Sequence, residues 1–318
     1  MSGFDMLNVM IGLVTVYLSF GIACTAIVEA FSSIAGLRSK NLRNGLSEFL
    51  QGNLIEEKGV EKSFVDTFYA HPLVQTLSKG AGGKPSYIPT KIVGRVVQSI
   101  LSDGNDADNL KASLDKLPGD KPGENRIKDL LLEFYSQAKG DVSIFRNEVE
   151  THFDLSMVRV SGWFRRRTQY LALFVAFLLV VCANVDTIEI AGSLSSDLEA
   201  RTAVVQSAEK LLSNQKEFEY RFLNRVKPED ISIKEVKKAT ADAKTTYDNA
   251  VLKLEQTGLN VGWREFPQTK VDIFTKFIGL IVSIFAVSLG APFWFQVLQR
   301  FMKIRGTGAT PEKNHGTE

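Results

Sequence analysis

Few residues in this chain are placed where they could do chemistry. Glu29 is the first. It is the only charge between Met6 and Leu37. An acid inside an apolar helix is costly to bury and marks a functional path where it occurs. At the end of such a helix it is an ordinary interfacial carboxylate. The apolar stretch is longer than one bilayer needs, which favours the interface. The second feature is Arg159-Val160-Ser161-Gly162-Trp163-Phe164-Arg165-Arg166-Arg167. Arg159, Trp163, Arg165, Arg166 and Arg167 form a basic and aromatic set suited to anionic lipid head groups. Each basic residue near such a surface is worth about 1 kcal/mol. The same residues would serve equally to set topology. The third feature is Leu289-Gly290-Ala291-Pro292-Phe293-Trp294-Phe295. Pro292 lacks a helical donor and would crowd the carbonyl of Ser288, which predicts a kink. Gly290 and Ala291 permit close helix approach, so Gly290, Pro292 and Trp294 are read as a kink and packing set.

Other chemistry is excluded by spacing. Ser78 to Ser86 is glycine-rich and tempts a phosphate-loop reading. Yet Ser78 holds the first glycine position, Pro85 follows Lys84, and no strand precedes the loop. Asp103, Asp106 and Asp108 lack the glycine and terminal glutamate of a calcium loop. Nucleophile elbows, zincin helices and dinucleotide fingerprints are absent. No catalytic residue, metal site or cofactor is assigned.

Composition narrows the class. The 318 residues carry 38 basic and 36 acidic side chains, for a net charge of +2. That balance gives no case for nucleic acid as a partner. A hydrophobic fraction of 44% argues against disorder of the whole chain. Two cysteines and three histidines are too few for a disulfide scaffold or a histidine-rich metal centre.

The apolar residues gather in three runs: Met6 to Val28, Thr168 to Val185 and Phe277 to Gln299. Their lengths are 23, 18 and 23 residues, none holding a charge. A bilayer core about 30 Å thick needs roughly 20 helical residues, so three membrane spans are expected. Asp5 and the lack of a leading Lys or Arg argue against a signal peptide. Basic residues flank one end of each run: Arg38, Lys40 and Arg43; then Arg159 and Arg165 to Arg167; then Arg300, Lys303 and Arg305. By the positive-inside rule the N-terminus lies outside and the C-terminus in the cytoplasm. The expected plan has a first span over 1–29, a cytoplasmic helical domain over 30–162 and a second span over 163–185. An extracytoplasmic helical hairpin follows over 186–276, then a third span over 277–299 and a cytoplasmic tail over 300–318. Trp163, Trp263 and Trp294 fall near the expected interfaces. Cys24 and Cys182 fall in opposite leaflets, too far apart to pair.

Outside the spans the periodicity is helical, so the fold class is all-α. Helices are expected over 41–50, 63–77 with a break at His71-Pro72, 89–101 with Thr90 as N-cap, 125–137 and 142–160. Residues 103–121 read as turns and loops. Leu198 to Val226 and Ile233 to Leu254 read as a helical hairpin, with Ser232 and Glu235 as a capping box. A coiled-coil pairing with a second copy is the weaker reading there, because the seam spans few heptads.

Several segments resemble a group of uncharacterised bacterial inner-membrane proteins. They are Leu37 to Leu42 (LRSKNL), His71-Pro72-Leu73, Lys84 to Pro89 (KPSYIP), Phe153-Asp154 with Met157, Arg159 to Trp163, Asn184 to Thr187 (NVDT) and the GAPFWF segment. The resemblance runs along nearly the whole chain. It implies a multi-pass protein of the bacterial inner membrane and carries no catalytic residues with it. The expected role is a non-enzymatic scaffold that binds membrane lipids and a protein partner, as a possible homo-oligomer. The alternative is an oligomeric pore built on the kinked third span. A third option is a membrane enzyme acting on lipid near Glu29 and the arginine cluster.

Overall fold

The computed structural model describes residues 3–55, 61–78, 84–102, 107–119, 121, 123–213, 245, 248–249, 251–252, 255–256, 259, 262–263 and 269–307. Among them the chain is mostly helical. The elements are α1 (Gly3–Ile34), α2 (Leu37–Phe49), β1 (Asn53–Ile55), β2 (Glu61–Ser63), α3 (Phe64–Ala70), α4 (Pro72–Gln75) and α5 (Thr90–Leu101). They continue as α6 (Ala107–Asp115), α7 (Arg126–Ala138), α8 (Val142–Ala183), α9 (Thr187–Ser196), α10 (Leu198–Ser213), α11 (Lys270–Ser288) and α12 (Ala291–Thr307). Two compact units emerge. One holds residues 3–31, 167–213 and the described residues from 245 onward; the other holds 32–166.

The 32–166 unit follows the logic of a water-soluble domain. Leu42, Leu46 and Phe49 recur along one face of α2, and Ile127, Leu131, Phe134 and Ala138 along one face of α7. These faces close over Phe64 and Phe68 of α3, Val93, Val96 and Val97 of α5, and Phe145, Val149 and Phe153 of α8. His71 explains the break between α3 and α4. Its Nδ1 accepts from the N–H of Leu73, while Pro72 starts α4 where no donor is missed. Asp141 starts α8. Its Oδ1 accepts from the hydroxyl and N–H of Ser143 and from the N–H of Ile144. Those bonds, the Ser143 hydroxyl first, hold its carboxyl below the usual carboxylate range.

Three expectations change here. Residues 107–115 are helix rather than loop. Leu110 and Leu114, four apart, are both fully buried and bring the segment into the core. The β1–β2 pair is antiparallel, Asn53 opposite Ser63. Strands of three residues are too short to print an alternation in the sequence. Thr90 is the first residue of α5 and its N-cap is Pro89; the Thr90 hydroxyl donates to Asp154 instead, at 2.6 Å.

In the other unit α1 is the central element. Among the described residues three helices are long and apolar enough to cross a membrane: Asp5–Ser33, Val142–Ala183 and Lys270–Ser288. The most apolar stretch of the first is 67% buried, against 28% and 22% for the other two. One side of α1 packs Val16, Phe20, Ala23 and Val28 against Val175, Ala176, Leu179 and Val180 of α8. Another packs Ile11, Val14 and Leu18 against Val205 and Ala208 of α10 and Ala291, Phe295 and Leu298 of α12. Gly12 leaves room for Leu194 of α9, whose Cδ1 would sit 2.7 Å from an added Cβ. So α9 and α10 pack along the first half of α1.

The third apolar run is not one helix. The sequence predicts a single kinked span over 277–299. Helix α11 ends at Ser288, Gly290 takes a left-handed backbone (φ 79), and α12 starts at Ala291. Glycine alone adopts that conformation without cost. Pro292 then occupies the second position of α12, where a missing N–H loses no helical bond. The feature is a break with a new helix start rather than a kink. Of the expected 198–226 helix, residues 198–213 are seen; the rest, the 232–235 capping box, residues 79–83 of the glycine-rich loop and the tail beyond 307 lie outside the described residues.

Candidate functional site

The site is built where α8, α9, α11 and α12 meet α1. Helix α8 ends at Ala183, and Asn184 takes a left-handed backbone (φ 48). Asp186 then caps α9, its Oδ1 accepting from the N–H groups of Ile188 and Glu189 at 2.8 and 3.3 Å. A carboxylate at a helix start satisfies donors that have no partner within the helix. Asp186 is 4% exposed, and Gly279 of α11 lies directly against it; a Cβ there would collide with Asp186 Oδ1. Asn184, also buried, donates from Nδ2 to the carbonyl of Gly262 at 2.8 Å.

Beside this corner runs a chain of hydroxyls. Tyr17 Oη lies 2.8 Å from Thr187 Oγ1, which lies 2.7 Å from Ser283 Oγ. Ser283, fully buried, donates to the carbonyl of Gly279 at 3.0 Å. One hydroxyl carries one proton. Ser283 therefore accepts from Thr187, and Thr187 from Tyr17. All three protons are committed in one direction and the chain ends on a backbone carbonyl. No side chain at its end can take up a proton. The arrangement braces α1, α9 and α11 together.

The GAPFWF segment completes the contact with α1. The N–H of Ala291 donates to Thr25 Oγ1 at 3.1 Å. An added Cβ on Gly21 would stand 3.2 Å from the backbone of Gly290 and Ala291, so the two chains meet with no side chain between them. Trp294 lies with its ring 4.8 Å from that of Tyr17, and its Nε1 donates to the carbonyl of Ala286 at 2.6 Å. Gly290 and Trp294 thus lie against α1. Trp294 lies in the first turn of α12, against the middle of α1.

The arginine cluster stands on α8 without a break in the helix. Arg159, Trp163, Arg165, Arg166 and Arg167 are all exposed. Glu29 is half-buried near the end of α1. Cys24 Sγ donates to the carbonyl of Ala172 at 3.5 Å. Glu29 lies five residues beyond Cys24, and Arg167 five residues before Ala172. Helices α1 and α8 run antiparallel, so the acid and the arginine reach the same depth. Cys182 is exposed and Cys24 buried, and both are free thiols. Among the described residues no three His, Cys, Asp or Glu side chains gather as a metal set.

Sequence reasoning missed Tyr17, Thr25, Ser283 and Gly279, and met Asp186 and Thr187 only within the NVDT segment. Two signals were present. Asp186 followed by an apolar start is an N-cap pattern. Hydroxyls inside otherwise apolar runs are the natural bonds between membrane helices. No family model, curated protein or solved structure matches this chain.

Proposed function

We propose that the chain is an integral component of the bacterial inner membrane and works as a non-enzymatic scaffold. The observation that carries the membrane reading is the outward face of two helices. On α8, Tyr170, Phe174, Phe177 and Leu178 are exposed. On α11, Phe274, Phe277, Val282 and Phe285 are exposed. So many large apolar side chains mark a surface that meets lipid or protein, not water. The same helices send Ala176, Ala183, Gly279, Ser283 and Ala286 inward. Small residues inside and large ones outside is the pattern of helices packed in lipid.

The scaffold reading is supported by how the central polar groups are used. The Tyr17–Thr187–Ser283 chain and the Asp186 cap tie helices to one another. The basic residues between Arg159 and Arg167 support an orientation with residues 32–166 in the cytoplasm and the start of α1 outside. Anionic lipids are the partners of that stretch. A protein partner and a second copy of the chain are the further partners expected. The charge rule also placed the C-terminal tail in the cytoplasm, but that vote assumed an unbroken third span.

Alkaline carbonate extraction tests the membrane reading. The chain is expected to stay with the membrane pellet; release into the supernatant overturns it. Light scattering in detergent, with the detergent subtracted, tests the scaffold reading against a pore. A monomer or dimer without conductance in planar bilayers supports the scaffold. A closed ring with conductance lost on Pro292→Ala overturns it.

A further inference from the structure

The sequence makes 277–299 a span, and a span would carry the chain to the opposite face. The geometry points elsewhere: we propose that α11 and α12 form a re-entrant hairpin, entering and leaving the bilayer on the face where α1 begins. The inference rests on the membrane reading above and goes beyond it.

Direction is the first argument. Ala291 is bonded to Thr25, Trp294 stacks on Tyr17, and Phe295 and Leu298 share a core with Leu18, Val14 and Ile11. Leu7, Phe301 and Met302 close the far end of that core. As the numbers on α12 rise from 291 to 302, those on α1 fall from 25 to 7. The two helices are antiparallel, so α12 returns toward the start of α1. Helix α11 runs the other way. Ser283 is linked through Thr187 to Tyr17, while Ala291, eight residues later, is bonded to Thr25.

Charge is the second argument. Arg305 of α12 pairs with Glu209 of α10 at 2.9 Å, and Arg201 of α10 lies 3.8 Å from Asp5 of α1. On the other arm Lys276 pairs with Glu189 of α9 at 2.9 Å. The charged end of α12 therefore stands with the charged start of α1 through α10, and that of α11 stands with α9, which packs along the first half of α1. The tip at Gly290 lies beside Thr25, short of the depth shared by Glu29 and Arg167.

Length and hydrogen bonding make such a hairpin tenable. Helix α11 is 19 residues long, roughly 28 Å, yet the break leaves uncharged stretches of only about 12 residues in it and 9 in α12, roughly 18 and 14 Å, short of a core about 30 Å thick. Irregular backbone at membrane depth survives only where protein satisfies its polar groups. Here the N–H of Leu289 donates to Ala286, that of Gly290 to Val287, and that of Ala291 to Thr25. The outward side chains at the tip are Phe285, Leu289 and Phe293, all exposed and apolar. Lipid acyl chains are the occupants that suit them.

The test is sided labelling with a membrane-impermeant maleimide. Cys24→Ala and Cys182→Ser remove the native thiols, and single cysteines are placed at Met6, Lys91, Leu289 and Lys303. Lys303→Cys is expected to label on the same side as Met6→Cys and opposite Lys91→Cys. Leu289→Cys is expected to resist the reagent from both sides until detergent is added. Lys303→Cys on the side of Lys91→Cys, in a chain that carbonate leaves in the membrane, overturns the hairpin alone. Release by carbonate overturns the membrane reading and the hairpin with it. Reporters fused at the two ends of the unsubstituted chain give a second readout. They are expected on the same side, and opposite sides overturn the proposal.

Discussion

Both units bury large apolar side chains, Phe20 and Phe295 among them around α1, but the unit around α1 also buries many alanines. In the 32–166 unit the buried side chains are large: Phe64, Phe68, Phe145, Leu46, Leu50, Ile88, Leu110 and Leu114. In the unit around α1 many are small or polar: Ala23, Ala176, Ala183, Ala208, Thr15, Ser283, Asn184 and Asp186. Its phenylalanines at 174, 177, 274, 277, 285 and 293 face outward. Water drives the first arrangement, because apolar area removed from it is worth about 25 cal/mol per Å². Between helices in lipid that drive is absent. Close packing and hydrogen bonds are left to hold them.

The sharpest way to break this contrast is a pair of Phe→Ala changes. Phe68→Ala empties a fully buried site and is expected to destabilise the 32–166 unit by about 3–5 kcal/mol. Protease sensitivity of that unit against denaturant reads the loss. Phe285→Ala, at a position 61% exposed, is expected to change stability in detergent by less than about 0.5 kcal/mol. An equal cost at both sites would show that the outward face of α11 is covered by protein.

A pair of Gly→Ala changes sharpens it further. Gly279→Ala sets a methyl against Asp186 and is expected to cost about 1–3 kcal/mol in a thermal melt in detergent. Gly192→Ala meets nothing within 4 Å on α9 and is expected to be neutral or stabilising by up to about 1 kcal/mol. Next comes Ser283→Ala, which cuts the hydroxyl chain. Bonds of this kind between membrane helices average about 0.6 kcal/mol, so the loss is small. Combined with Tyr17→Phe, the two losses should fail to add, because both act through Thr187.

The smallest effect belongs to the 32–166 unit. Asp141→Asn weakens the cap of α8 at neutral pH. The folded carboxyl titrates below its ordinary value, so its contribution is present above the unfolded pKa and fades as pH falls through the folded one. Wild type and variant should therefore melt further apart at pH 7 than at pH 3. A gap that widens on acidification would refute the cap as its source.

Much of the helical order was legible because the core of the 32–166 unit repeats at helical spacing. Residues 126–138 and 90–101 show it plainly. Helix α6 was hidden because Gly104, Pro118 and Gly119 around it read as turns, while Leu110 and Leu114 alone carry its burial. The third run misled for another reason. An uncharged stretch of 23 residues satisfies the length of a span whether it runs straight or folds back. Only Gly290 marks the difference, and a glycine in an apolar helix is also a packing residue. The polar brace was invisible because its members lie as far as 170 residues apart in sequence.

That separation sets a schedule for assembly. Thr25 accepts its bond from a residue 266 positions later. At about 5–20 residues per second, a ribosome takes roughly 13 to 53 s to supply it. Meanwhile α1 must wait with these partners unmade. Thr15 and Ser19 are ready for that interval, since each donates to the carbonyl four residues back. The hydroxyls of Tyr17 and Thr25, by contrast, find their partners only in chain made later.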